Sequence, residues 1–271
     1  MWTAVVPAHN ESGRIGRVLT NLTLLPLDRI LVIANGCTDT TVEDVLGMQN
    51  KKTELLVFAE KLGIDIPRSI GAKRSLDLGA AGVLFVDGDM TGNFNEHLLK
   101  LIKAVNEGWD LALTNCYPYI TYRQPLSAKT IAFRARLNRK LGLFHQLGIA
   151  SPAHGPHAVS RRLLHSLPLE AFAIPPVLLT LAQQKGLAIG VATSLPHRAL
   201  ESPWRDDRHG ELIAETIIGD CLEAICLAEG RPRSRIIGRE EMLGYHPERR
   251  WDLLEEYLKS GYKSPPSHNG I

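Results

Sequence analysis

The sequence predicts an α/β fold, a mainly parallel central sheet flanked by helices, with a helical extension at the C-terminal end. Three observations carry this expectation. Over the first 115 residues, short apolar runs alternate with apolar stripes at helical spacing, as in repeated βα units. Several apolar runs end in polar turns rich in Gly, Asn or Asp. Beyond Pro203, only helical periodicities follow.

Trp2–Val6 reads as the first buried strand, and Ile15, Val18, Leu19 and Leu22 as the inward stripe of a helix capped by Ser12. Arg29–Ala34 is the second strand. Asn35-Gly36-Cys37-Thr38-Asp39 turns from it into a helix carrying Val42, Val45 and Leu46. Glu54–Phe58 is the third strand, and a helix over about 69–80 leads to the fourth, Val83–Val86, which ends at Asp87. Leu98, Ile102 and Val105 mark a further helix, and Leu111–Leu113 a fifth strand. A long basic helix then spans about 127–147, followed by a Gly/Pro loop at 150–156, a helix at Pro175–Lys185 and a strand at Leu187–Thr193. Ile213, Ile217, Cys221 and Ile225 recur every four residues, and a shorter helix surrounds Trp251, Leu254 and Leu258. The expected division is a main domain at 1–205 (halves 1–115 and 116–205), a helical extension at 206–264 and a disordered tail at 265–271.

A hydrophobic share of 44% with 22% charged residues excludes global disorder, and a net charge of +2 gives no reason to expect a nucleic-acid partner. Cys37, Cys116, Cys221 and Cys226 lack paired metal spacing and read as reduced thiols. No apolar run reaches the roughly 18 residues of a membrane span, and residues 1–7 lack the pattern of a signal peptide. The expectation is a soluble, cytoplasmic protein. A homodimer and a peripheral membrane contact stay open at this stage.

Asp87-Gly88-Asp89 closes the fourth strand. Strand residues i and i+2 share a side, so both carboxylates can aim at one point, and Gly88 leaves room for a close approach. In open α/β sheets ligands bind at such strand ends. Paired carboxylates there suit a hard divalent cation, Mg²⁺ or Mn²⁺, that also holds a substrate phosphate. Alone, the triplet reads more readily as a solvated Asp-Gly turn than as a metal site.

Its context resembles the family 2 glycosyltransferases and their GT-A relatives. Val5-Val6-Pro7-Ala8-His9-Asn10-Glu11 looks like their first-strand motif. Ile33-Ala34-Asn35-Gly36-Cys37-Thr38-Asp39 resembles their second-strand motif, and Val83–Met90 is similar to their Asp-X-Asp segment. The resemblance covers roughly residues 2–200 and implies a GT-A fold, Rossmann-like, with a C-terminal helical extension. It also implies transfer of a sugar from a UDP- or GDP-sugar to a hydroxyl on a small molecule or a lipid-linked acceptor.

Under this resemblance, Pro7, Ala8, Asn10 and Glu11 would line the nucleotide, and Asn35 and Asp39 would meet the base. Many relatives carry an acid near Asn35, which leaves the identity of the base open. Lys73 or Arg74 would meet the base or a phosphate, or else stand at a solvated helix start. Asp87 and Gly88 would face the ribose and sugar, and Asp89 would hold the metal with the diphosphate; Asp87 and Asp89 are the catalytic pair. On the acceptor side, Gly155, His157 and Arg161 belong to a segment similar to the family's Gly-rich loop, short strand and Ser-Arg-started helix. His157 either faces the acceptor or packs in the loop.

Leu195-Pro196-His197-Arg198 resembles the loop on which retaining enzymes of the glucosyl-3-phosphoglycerate synthase type carry a metal-ligating His. This makes His197 the candidate metal ligand beside Asp89, with Arg198 near the diphosphate, or else a capped surface residue. Inverting relatives place an acid shortly after the acceptor loop. Phe172-Ala173-Ile174-Pro175-Pro176 has none, with only Glu170 nearby, which leans toward retention. Two alternatives are a sugar-1-phosphate nucleotidyltransferase, disfavoured by the acidic turn after the first strand, and a non-catalytic nucleotide-binding relative.

Overall fold

The computed structural model describes residues 1–119 and 125–260. One sheet contains β1 (Trp2–Ala8), β2 (Arg29–Asn35), β3 (Thr53–Phe58), β4 (Gly82–Phe85), β5 (Leu111–Asn115), β6 (His157–Ser160) and β7 (Ile189–Ser194). Their order is β3-β2-β1-β4-β6-β5-β7. Of the six neighbouring pairs, β4–β6 and β5–β6 are antiparallel and the other four are parallel. Flanking helices are α1 (Ile15–Thr23), α2 (Thr41–Gly47), α3 (Ile66–Asp77), α4 (Asn95–Asn106), α5 (Pro125–Lys140), α6 (Phe144–Leu147), α7 (Arg161–Ser166) and α8 (Pro175–Gln184). The extension holds α9 (Asp207–Ala228), a short hairpin of β8 (Ile236–Ile237) and β9 (Glu240–Glu241), and α10 (Trp251–Ser260).

Strand alternation sorts the core onto two faces. Val5, Leu31, Ile33, Val83 and Phe85 pack on one side with Ile70 of α3, Leu178 of α8, Ile225 of α9 and Leu254 of α10. Ala4, Val6, Ile30, Val32 and Leu84 pack on the other with Leu19 of α1 and Leu98 of α4. The extension therefore shares the core of the first strands. Cys221 and Ile225 of its stripe are buried there, whereas Ile213 and Ile217 line a cleft.

Local signals shift three boundaries. Ser12 does not cap α1; its hydroxyl bonds Thr40 at 2.6 Å, and the helix starts at Ile15 without a side-chain cap. The third helix begins at Ile66, with Pro67 in its first turn. The long basic helix breaks after Lys140, at Gly142 with φ +73°, into α5 and α6. The short strand before Arg161 is present as β6, and Ser160 caps α7 by accepting from Leu163 N at 3.1 Å. The tail expected at 265–271 lies outside the described residues. Among those described, no helix is long and apolar enough to cross a membrane.

Candidate active site

A cleft of about 350 Å³ opens at the carboxyl ends of β1, β2 and β4, where the parallel strands leave backbone unpaired. The chain continues past β4 in register with β1: Val86 N donates to Val5 O at 3.1 Å and Gly88 N to Pro7 O at 3.0 Å. A side chain at Gly88 would stand 2.9 Å from Pro7 O, so only glycine lets the two turns close together. Asp87 and Asp89 are thereby set beside Pro7, Ala8 and Glu11, and all five residues line the cleft.

The carboxylates here have distinct partners. Asp87 Oδ1 accepts from Arg68 Nη2 at 2.7 Å. Buried Glu11 pairs with Arg14 at 2.8 Å and with Arg205 at 2.9 Å. Asp89 accepts from Ser202 Oγ at 3.3 Å. Burial, then the charges of Asp87 and Glu11, push its carboxyl up to about 6. Excess negative charge converging on one strand end, with oxygen donors, fits a hard divalent cation. His197 lies on the same edge of the sheet, beyond β7, with its N–H on Cys116 O at 2.9 Å. The segment after it is knitted to the Asp89 turn by Gly92 N to Leu200 O at 3.0 Å. Asp87, Asp89 and His197 do not bring ligand atoms within 4.8 Å of one another as they stand; among the described residues only Asp220, Glu223 and His246 do.

The structure redistributes several expected contacts. Lys73 and Arg74 are absent from the cleft lining: Lys73 bonds Asp77 at 2.6 Å and Arg74 bonds Glu54 at 2.7 Å. Arg68 supplies the cation instead. Arg68 is buried in the first turn of α3, at the end of the helix that meets the cleft, while Lys73 and Arg74 lie more than one turn further along it. Asn10 and Asp39 serve the turns rather than the lining. Asn10 Oδ1 accepts from Thr38 N at 2.8 Å, and Asp39 accepts from Ser12 N and Thr41 N, both at 3.0 Å. Burial opposes the charge on Asp39, but hydrogen bonds from Thr41 and Ser12 outweigh it and hold the carboxyl below its ordinary range. Asn35 does line the cleft, yet its amide is spent on the chain, accepting from Leu62 N at 2.6 Å and donating to Gly63 O at 3.2 Å.

On the acceptor side the antiparallel course of β6 decides the outcome. His157 pairs with Phe85 at the cleft end of β4, whereas Ser160 pairs with Gly82 at the far end. Arg161, the next residue, therefore stands exposed at the opposite edge of the sheet from Asp87 and cannot serve an acceptor there. Gly155, before β6, is buried at the cleft end. His157 is packed: it stacks on Phe85 at 4.9 Å, and burial, then Arg68, push its pKa down to about 3. Arg198 is not among the lining residues. Glu170 is exposed on a 3₁₀ turn over Leu169–Ala173, and the residues from Ala171 to Thr180 are buried without an acid.

Several lining residues carried no sequence signal of their own: Lys61, Gly63 and Asp65 before α3, Arg205 and His209 around the start of α9, and Tyr245 and Glu248 near α10. A second cluster was also unforeseen. Tyr117, His154 and His197 gather in a three-ring cluster: Tyr117 stacks on His154 at 5.1 Å and on His197 at 6.3 Å, and the two imidazoles lie tilted at 4.9 Å. Burial, then Arg134, hold both imidazoles below their ordinary range. His154 Nε2 and Arg134 Nε are buried without a hydrogen-bond partner.

The family described as glycosyl transferase family 2 matches residues 3–166. Among solved structures, glucosyl-3-phosphoglycerate synthase from Mycobacterium tuberculosis in complex with phosphoglyceric acid is 21% identical, with a TM-score of 0.63 over 87% of this chain and 82% of that one. The same enzyme in complex with Mn²⁺, UDP-glucose and phosphoglyceric acid gives 21% and 0.61 over the same shares. Its UDP complex gives 20% and 0.58, again over 87% and 82%. At such identities the likeness is one of fold. No curated protein matches the sequence.

Proposed function

The chain belongs to glycosyl transferase family 2, and from that premise we propose that it moves a sugar from a nucleotide-diphosphate donor to a hydroxyl of a small anionic acceptor, with retention at the sugar carbon. The observation that carries the donor half is the meeting of Asp87, Asp89 and Glu11 in one cleft at the ends of β1 and β4, with Arg68 and Arg205 interleaved. Asp89 would hold a divalent cation, Mg²⁺ or Mn²⁺, with His197 as the further ligand; the cation would neutralise the diphosphate as it leaves. Arg205 would exchange Glu11 for a phosphate oxygen, an equally charge-assisted partner. Arg68 would keep Asp87 oriented toward the sugar.

Three considerations support the finer points. Retention needs no carboxylate base at the acceptor. Five carboxylates line the cleft, and four of them already face cations: Glu11, Asp65, Asp87 and Glu248. Buried Arg134, with an unpartnered Nε beside neutral imidazoles, favours an anionic acceptor group. Structures of similar fold were solved with UDP-glucose, phosphoglyceric acid and Mn²⁺. The test is a panel of nucleotide sugars scored by thermal shift and slow donor hydrolysis, each with Mn²⁺, with Mg²⁺ and with chelator. One nucleotide sugar should stabilise the protein only when metal is present. Equal stabilisation in chelator would overturn the metal role.

A further inference from the structure

An unbroken run of ion pairs leads from the donor site into the C-terminal extension. Arg68, bound to Asp87, also reaches Asp65 Oδ1 through Nε at 3.0 Å. Asp65 Oδ2 faces Arg249 Nη2 at 3.5 Å. Arg249 grips Asp220 with both terminal nitrogens, at 2.8 and 2.7 Å. Asp220 in turn accepts from Arg235 at 2.7 Å, and Arg235 bonds Glu223 at 2.7 Å. The Arg249 side chain is 0% exposed. The apparent metal triad of Asp220, Glu223 and His246 lies within this run. Guanidinium groups already fill it, with His246 Nδ1 accepting from Arg249 at 3.0 Å and from Arg235 at 3.2 Å.

Arg249 is where the C-terminal extension holds the segment, Gly63 to Asp65, that lines the cleft. Its Nε donates to Ile64 O at 3.3 Å, and the next residue's N–H donates to Leu62 O at 2.9 Å. Gly63, with φ +85°, lies so close that a side chain there would stand 2.3 Å from Glu248 O. Asp65 holds φ +61°, a left-handed conformation that a non-glycine residue keeps only when its surroundings impose it. The 62–65 segment is thus clamped between Asn35 on β2 and residues 248–250.

We infer that Arg249 is a positioning residue for the donor site: through Ile64 and Asp65 it fixes Arg68, and through Arg68 the carboxylate of Asp87. This rests on the donor-site reading above. A merely structural Arg249 would lower stability without a selective effect on the ligand, so the test compares it with Arg235, one link further out in the same run. Calorimetry measures UDP and GDP binding in Mn²⁺ for the wild-type chain and for Arg249→Met, Arg235→Met and Asp65→Asn, alongside each melting temperature. We expect Arg249→Met to weaken nucleotide binding about tenfold to a hundredfold, as loss of an outer-shell support does. Arg235→Met should leave binding within about twofold even where its melting temperature falls as far.

Asp65→Asn loosens both ends of the Arg249–Asp65–Arg68 link with Arg249 kept in place, so unchanged binding there decides against the inference if Arg249→Met fails to fold; weakened binding is again the expected result. Combining the two substitutions should add little to either alone. Unchanged binding in Arg249→Met or, should that variant not fold, in Asp65→Asn overturns the inference. So does equal weakening by Arg249→Met and Arg235→Met. A wild-type chain that binds neither nucleotide overturns the donor-site reading and this inference together.

Discussion

Two regions on one edge of this sheet, the ends of β1 and β4 and the segments beyond β5 and β7, treat their polar groups in opposite ways. At the ends of β1 and β4, Glu11 and Asp87 are matched to arginines at 2.7 to 2.9 Å, and the turns that carry them are bound to each other. Around Tyr117, His154 and His197 the rings cluster, while His154 Nε2 and Arg134 Nε stay buried without a partner. A buried polar group without a partner is unfavourable unless something supplies one. The difference teaches that the carboxylates at the ends of β1 and β4 are satisfied by cations of the chain itself, whereas the cluster of His154 and Arg134 keeps polar groups open to a further partner.

The largest expected effect tests the donor side. Asp89→Ala should reduce donor hydrolysis and transfer by about 10³-fold, the loss of several kcal/mol of charge stabilisation. The fold should persist, because the removed carboxyl is held at about 6 by an unfavourable environment. Steady-state kinetics with circular dichroism checks both; retained turnover in folded protein would remove Asp89 from the mechanism.

Next comes the acceptor side. Arg134→Met should raise KM for an anionic acceptor about tenfold to a hundredfold, the worth of a charge-assisted hydrogen bond, with nucleotide affinity unchanged. Should donor affinity fall instead, the separation of the two regions would be lost.

Legibility divides along the same line, for physical reasons. The donor region was readable because Asp87 and Asp89 sit at a strand end, two residues apart, beside a first-strand turn that must meet them. Choosing its cation from sequence failed at one turn of helix. Lys73 and Arg74 are nearer the strand of Asp87 in sequence, but Arg68 is buried in the first turn of α3, at the cleft, and the other two lie more than one turn further along the helix. The acceptor region was misread through direction: Arg161 follows its loop closely, yet antiparallel β6 carries it to the far end of the sheet. Lys61, Tyr245 and Glu248 reach one cleft from segments more than 180 residues apart, and no spacing rule joins them.

A smaller effect concerns pH. Asp89 has a folded pKa of about 6, above its ordinary 3.8, so the folded chain holds a proton there that the unfolded chain releases. Its contribution to stability therefore falls as pH rises from about 4 to 6. Cation binding needs the ionised carboxylate and runs the other way. Affinity for Mn²⁺ should be flat above about 6 and fall about tenfold per pH unit below it. Titration calorimetry between pH 5 and 7.5 measures this slope; a flat profile would mean that Asp89 does not hold the ion.

The smallest expected effect is the most pointed test of geometry. Arg161 has the credentials of an anion-binding residue, a cation at the first position of a helix that follows a Gly-rich loop. Its position denies it that role: Ser160 pairs with Gly82, at the end of β4 remote from Asp87, and the Arg161 side chain is exposed, with its Nε donating to His165 Nε2 at 3.3 Å. Arg161→Ala should therefore leave kcat and the acceptor KM unchanged within about twofold, and stability within about 0.5 kcal/mol, as at other exposed sites. Arg134→Met, assayed beside it, should raise the acceptor KM. If Arg161→Ala raised that KM and Arg134→Met did not, the acceptor would lie at the opposite edge of the sheet, and the contrast between the two regions would have to be redrawn.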